Sequence, residues 1–167
     1  PLVFKNSKPR PSTKTYEGGH VTFNINKDIE ARVKELDSTL FMVLLSAVNI
    51  LIYRYTNQRN FIIGIPASNR RSSKHKETVG YATTVYPIRS QVSPQIEYRD
   101  YLNLLKKETY AIYDYPYFDI NGLIEELDLQ WDQGRASPVF DVILNLEGES
   151  KLPLRTSLNT DVVALHS

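Results

Sequence analysis

Few side chains in this sequence carry chemistry that could act on a substrate, and their spacing is the first thing to weigh. The three histidines, His20, His75 and His166, lie far apart, and none falls in a metal-ligand spacing. Asp114, Asp119, Glu125 and Glu126 could supply a carboxylate pair for acid–base work, although surface carboxylates of this kind are common. A basic run holds Arg70, Arg71, Lys74, His75 and Lys76. Guanidinium forks match phosphate oxygens, so the run is a candidate phosphate contact, with a solvated loop as the plainer reading. There is no cysteine, hence no thiol nucleophile, thiolate metal site or disulfide framework. Glycines Gly18-Gly19 and Gly64 stand alone, outside any phosphate-loop pattern. Tyr113, Tyr115, Tyr117 and Phe118 could line a channel, and core packing explains them equally well. No spacing announces catalysis by itself.

The elements that must position these groups centre on Ser38–Tyr55, STLFMVLLSAVNILIYRY. It is uncharged from Thr39 to Tyr53, and apolar residues cover every face of a helix, the mark of a buried helix. Its rise of roughly 22 Å falls short of the ~30 Å hydrocarbon core of a membrane. Ser38 is the expected N-cap, and Asn57 the expected stop. Before it, His20–Ile25 alternates like a strand, and Lys27–Leu36 reads as a short helix capped by Asn26. After it, FIIGIPA reads as a strand buried on both faces. YATTVYPIR is a second strand, which Pro87 assigns to an edge or a bulge. A helix is expected from Ser93-Pro94 to about Ile112, burying Tyr98, Tyr101, Leu102, Leu105, Tyr110 and Ile112. An aromatic-acidic loop follows to Asn121, then a helix over Gly122–Leu127, a strand over Val139–Leu146, and a weak strand signal at Val162-Val163. Strands alternating with helices predict an α/β protein.

Twenty basic and nineteen acidic residues leave a net charge of +1, which argues against a general nucleic-acid binder. Hydrophobic residues make up 41% and charged residues 23%, ordinary for a soluble globular domain. The opening PLVFKNSKPRPSTK lacks the apolar core of a secretory signal, so a cytoplasmic location is expected.

Taken in order, KPRPSTKTYEGG, TLFMVLLSAVNILIYRYTNQRNFIIGIPASNR, TVGYATTVYPIR, DYPYF…LIEEL and GRASPVFDVILNLE resemble the C-terminal lobe of condensation domains from nonribosomal peptide synthetases, over about Pro9 to Glu147. The family's IGxFVNTxxxR block falls on Val79–Arg89, its HQDYPFE block on Ile112–Tyr117, and its RDxSRNPLF block on Trp131–Phe140. Thr84 stands where the family has Asn, Ile112-Tyr113 where it has His-Gln, and Trp131 in place of the first Arg.

The resemblance implies a chloramphenicol acetyltransferase-like α/β sandwich, of which this chain would be one lobe, incomplete at its end. Residues 1–15 would link it to a missing N-terminal lobe, and 16–167 would be the C-terminal lobe. It further implies amide-bond formation between an acyl or peptidyl thioester on one carrier protein and an aminoacyl amine on another. Both would arrive on phosphopantetheine arms, with no cofactor bound directly. The family's reactive HHxxxDG motif is absent here, so the resemblance assigns no catalytic residue to this chain. It points instead to tunnel-wall or structural positions at Gly80, Tyr81, Thr84, Arg89, Asp114, Tyr115, Pro116, Arg135 and Ser137. Arg70, Arg71 and Lys74 are the candidate carrier or phosphate contacts. Asp114 beside Arg135 would brace two loops. The expected partners are the missing lobe, carrier proteins and an adjacent adenylation domain. The alternatives are a non-catalytic carrier-recruiting module, an epimerization domain, or a free-standing acyltransferase of the same fold.

Overall fold

The structure is a computed structural model and describes residues 2–4, 18–26, 28–68, 70, 79–115, 118–131 and 137–147. Its centre is helix α2, Leu40–Thr56, which follows the short helix α1, Ile29–Glu35, across a bend of 99°. Asp37 makes that bend with a left-handed backbone, φ 45°. The N-cap of α2 is Thr39 rather than Ser38: the Thr39 side chain accepts from the backbone N–H of Met42 at 3.2 Å. Asn57 ends the helix as expected, at φ 58° in the left-handed region that asparagine tolerates. No single helix among the described residues is long and apolar enough to cross a membrane.

Strand β1, Asn60–Ser68, pairs antiparallel with β2, Thr83–Gln91, and parallel with the two-residue β3, Val142–Ile143, in the order β2-β1-β3. The expected strand over Val139–Leu146 thus contributes only these two residues to the ladder, which Leu144 extends by donating its N–H to the Gly64 carbonyl. Val92 donates to the Arg59 carbonyl, so every second pair from there, including Ile63 with Ile88 and Ile65 with Tyr86, exchanges hydrogen bonds. Pro87 opposite Gly64 and Pro66 opposite Val85 fall in the intervening pairs. Their missing N–H groups would have pointed away from the β1–β2 ladder. That is why proline fits here, with β2 an edge strand of this sheet.

Phe61, Ile63 and Ile65 of β1 and Tyr86, Ile88 and Ser90 of β2 are buried on the helix face. They pack beneath α2 and α3, Tyr98–Ala111. Helix α3 buries Tyr101, Leu102, Leu105 and Thr109, whereas Tyr98 and Tyr110, expected inside, are exposed. A 3-10 turn over Ile112–Asp114 follows, then α4, Ile120–Glu126, capped by Asp119. On the opposite face of the sheet Gly64 admits close packing. A Cβ there would meet Val85 Cγ1 at 2.9 Å, Phe140 Cε2 at 3.0 Å and Ile143 Cγ1 at 3.1 Å.

Two further expectations fail. Residues 20–25 form no strand, and Val21, Phe23 and Ile25 are exposed; the alternation is there, but none of the described strands pairs with it. Helix α2 is not buried all round, because Leu40, Leu51 and Tyr55 face solvent. Leu2, within the expected linker, is 7% exposed, and its N–H donates to Asp141 at 2.8 Å. The signal at Val162-Val163 lies outside the described residues.

Candidate functional site

Two of the sequence blocks meet at Tyr86. Strand alternation turns this side chain to the helix face, where it is 2% exposed, and its ring lies 5.6 Å from that of Phe118. Its phenol donates to the Tyr115 carbonyl at 3.3 Å. This contact joins the block 79–89 to the block 112–117 at the C-terminal end of α3. Between them lies a groove of about 350 Å³, lined among others by Ile88, Arg89, Glu108, Ile112 and Tyr115. That volume is at the small end of ligand pockets. The lining is mainly apolar, with Arg89 and Glu108 as its charged members.

Arg89 also borders a second cavity of about 390 Å³, with Leu2, Asn60, Ile62, Phe140 and Asp141. It stands opposite Ile62 in the ladder, exposed, and no described residue pairs with its guanidinium. Arg89 thus borders both cavities.

Other expected positions serve the backbone. Arg70 Nη2 donates to the Gly80 carbonyl at 2.7 Å, tying together the two sides of the connection between β1 and β2. Gly80 takes φ 148°, a conformation L side chains rarely adopt, and leaves Tyr81 90% exposed beside it. Thr84 is half-buried on the same strand face as Tyr86. Asp114 is exposed; its expected partner Arg135 lies outside the described residues, as do Pro116, Arg71, Lys74, His75 and His166. Ser137 is buried, and its Oγ accepts from the Val139 N–H at 3.2 Å, which shapes the approach of Phe140 to Gly64. His20 is exposed, and among the described residues no three His, Asp or Glu come together to hold a metal ion. Phe118 is one of the four aromatics that the sequence offers for a channel or a core, whereas Tyr86, Glu108 and Phe140 were not singled out from the sequence. The alternation Thr84, Tyr86, Ile88 carried the signal for Tyr86.

The family model for the condensation domain matches residues 2–160. The chain belongs to that family. Tyrocidine synthase 2 of Brevibacillus parabrevis is 30% identical over 145 residues, which cover 84% of this chain and 4% of the synthase. Tyrocidine synthase 3 of the same organism is 30% identical over 150 residues, 87% of this chain and 2% of that protein. The chain therefore spans only a small part of the curated relatives it matches. Among solved structures, a four-domain nonribosomal peptide synthetase, holo-AB3403, superposes with a TM-score of 0.79 at 16% identity, over 87% of this chain and 11% of the synthetase. The X-domain from teicoplanin biosynthesis gives 0.76 at 16% identity, over 85% of this chain and 32% of that one. The mixed α/β architecture of this condensation-domain chain is thus shared with proteins of low sequence identity.

Proposed function

We propose that this chain is one lobe of a chloramphenicol acetyltransferase-like condensation domain in a nonribosomal peptide synthetase. That domain joins a carrier-bound acyl or peptidyl thioester to a carrier-bound aminoacyl amine. In this reading the groove along β2 is part of the tunnel wall, and phosphopantetheine arms bring both substrates. The 70–81 region, with Arg70, Arg71 and Lys74, faces a carrier protein. The observation that carries the proposal is the meeting of the two family blocks at Tyr86 and Tyr115, with Arg89 at the groove.

The residues of this chain bind and position in such a reaction. By the resemblance, the imidazole that handles the amine proton would lie in the family's HHxxxDG motif, and His20, His75 and His166 form no such adjacent pair. Attack of the free amine on the thioester carbonyl forms the C–N bond, and the thiolate of the donor arm leaves. The proton that the amine loses ends on that thiolate as the free thiol, and an apolar wall excludes water from the thioester.

The test supplies a complete domain containing these residues with two carriers, loaded with an acyl thioester and an aminoacyl thioester, and follows the product by mass spectrometry. Amide product from the complete domain and none from residues 1–167 alone is the expected outcome. Product from these residues alone would overturn the division of labour. A second reading has its own support: the substitutions at Thr84, Ile112-Tyr113 and Trp131 fall inside the family blocks. If the complete domain binds loaded carriers but forms no amide, a carrier-recruiting module is the better account.

A further inference from the structure

The groove beside Tyr86 has one polar end. The end of α3 lines it with Glu108, Ala111 and Ile112, whose spacings of three and four put them on one face. Strand β2 lines it with Tyr86, Ile88 and Arg89. The hydrogen bond from Tyr86 to the Tyr115 carbonyl joins the two sides at one end. Going back from Tyr115 to Glu108 covers about 10 Å at ~1.5 Å per residue, and going on from Tyr86 to Arg89 also covers about 10 Å at ~3.3 Å per residue. Both charges therefore stand together at the end away from the tie. They are exposed, and neither makes a hydrogen bond or ion pair with a described residue, so they do not neutralise each other. The rest of the groove is apolar, with the Phe118 ring beside Tyr86.

We infer that this groove binds the aminoacyl group of the carrier-bound acceptor and favours an aromatic side chain on it. The inference rests on the functional reading above. The α-amine donates to the Glu108 carboxylate, which leaves its lone pair for the thioester carbonyl of the donor. The acceptor's own carbonyl oxygen takes a hydrogen bond from the Arg89 guanidinium. Its side chain then runs toward the tie, past Ile88 to Phe118, where a ring gains both burial and edge or offset contact. A groove of about 350 Å³ is far from filled by a glycyl group, so it rewards size. Charge adds a second selection. An acyl or N-acylated donor has no free amine for Glu108, so the groove separates acceptor from donor.

A complete condensation domain containing these residues tests this in two ways. The first is equilibrium binding of soluble probes, read by ligand-observed NMR. Phenylalaninamide should bind about tenfold more tightly than 3-phenylpropionamide, which lacks the amine, and Glu108→Gln should erase the difference. The second is turnover of phenylalanyl and glycyl carriers against one acyl donor. KM for the phenylalanyl carrier should be about tenfold the lower, and Glu108→Gln should raise both KM values while kcat changes little. Ala111→Trp, at an exposed position one helical turn from Glu108, fills the aromatic end, so the phenylalanyl-to-glycyl ratio of kcat/KM should fall toward one. Amide formation with equal KM for the two acceptors, or with a ratio that survives Ala111→Trp, upholds the functional reading and overturns the inference. If neither acceptor yields amide, that reading fails and the probes decide: the tenfold preference, lost in Glu108→Gln, sustains the groove's ligand class, and equal binding overturns it.

Discussion

The phenol of Tyr86 donates a hydrogen bond to the carbonyl oxygen of Tyr115, across 3.3 Å and between two segments that share no other secondary structure. Tyr86 belongs to an edge strand and Tyr115 to the chain just beyond a 3-10 turn. The ring supplies packing on the strand side, and its hydroxyl supplies the tie.

Tyr86→Phe separates these two contributions. It keeps the ring against Phe118 and removes the donor, so it should cost about 0.5–1.5 kcal/mol. The larger effect is local: amide exchange in residues 112–115 should accelerate while that of β1 stays nearly unchanged. Equal protection in both segments would show that the tie holds nothing.

Gly64 carries a second test. Its missing side chain is the space that Phe140, Val85 and Ile143 use. Alanine would favour the strand backbone slightly, but a Cβ 2.9 Å from a branched valine must push something aside. Gly64→Ala should therefore destabilise by about 1–3 kcal/mol, read as a lower denaturation midpoint at constant slope. Pairing it with Phe140→Ala should recover part of that loss, since the ring is one of the groups in the way.

Arg89 bears on the proposed tunnel wall. It is exposed and without a described partner, so truncating it should hardly move thermal stability. In a complete condensation domain, Arg89→Ala should lower kcat/KM for carrier-bound substrates about tenfold, the loss of roughly one charge-assisted contact. Arg89→Lys should restore part of it. Unchanged kinetics in both variants would remove this residue from the site.

How much of this was legible in the sequence depends on what each signal encodes. Helix α2 was plain because a long uncharged run from Thr39 to Tyr53, with Asn57 shortly after it, has few other solutions, and Pro87 marked an edge or a bulge because it cannot donate. Which face of α2 is buried was not legible, since the run is apolar on both sides and the polar Ser46 and Asn49 are the ones inside. The alternation at Val21, Phe23 and Ile25 reports a strand-like pattern, but pairing needs a neighbour that no local pattern names. The basic character of Arg70 was visible and its role was not, because its acceptor is a backbone carbonyl ten residues on. Tie points such as Tyr86 to Tyr115 depend on tertiary distance, so the block order pointed to the groove without revealing what closes it.

The buried pair Asn49 and Tyr101 gives the last prediction. Asn49 Nδ2 donates to the Tyr101 phenol oxygen at 2.9 Å, while Asn49 Oδ1 has no protein partner among the described residues. Tyr101→Phe removes the acceptor and leaves the amide unsatisfied, at a cost of about 1–3 kcal/mol. Adding Asn49→Leu removes the orphaned group, so the double variant should be more stable than Tyr101→Phe alone. The pair also shapes the alkaline limit. Burial raises the Tyr101 pKa above the ordinary tyrosine value of 10.0, with the Asn49 hydrogen bond acting weakly the other way. The folded state therefore holds the phenol proton more tightly than the unfolded chain. Its contribution is complete below pH ~10 and is lost as pH rises through the folded value. Denaturant titrations from pH 8 to 11 should show native stability falling above pH 10 more steeply than that of Tyr101→Phe. Parallel curves would mean that another group sets the alkaline limit.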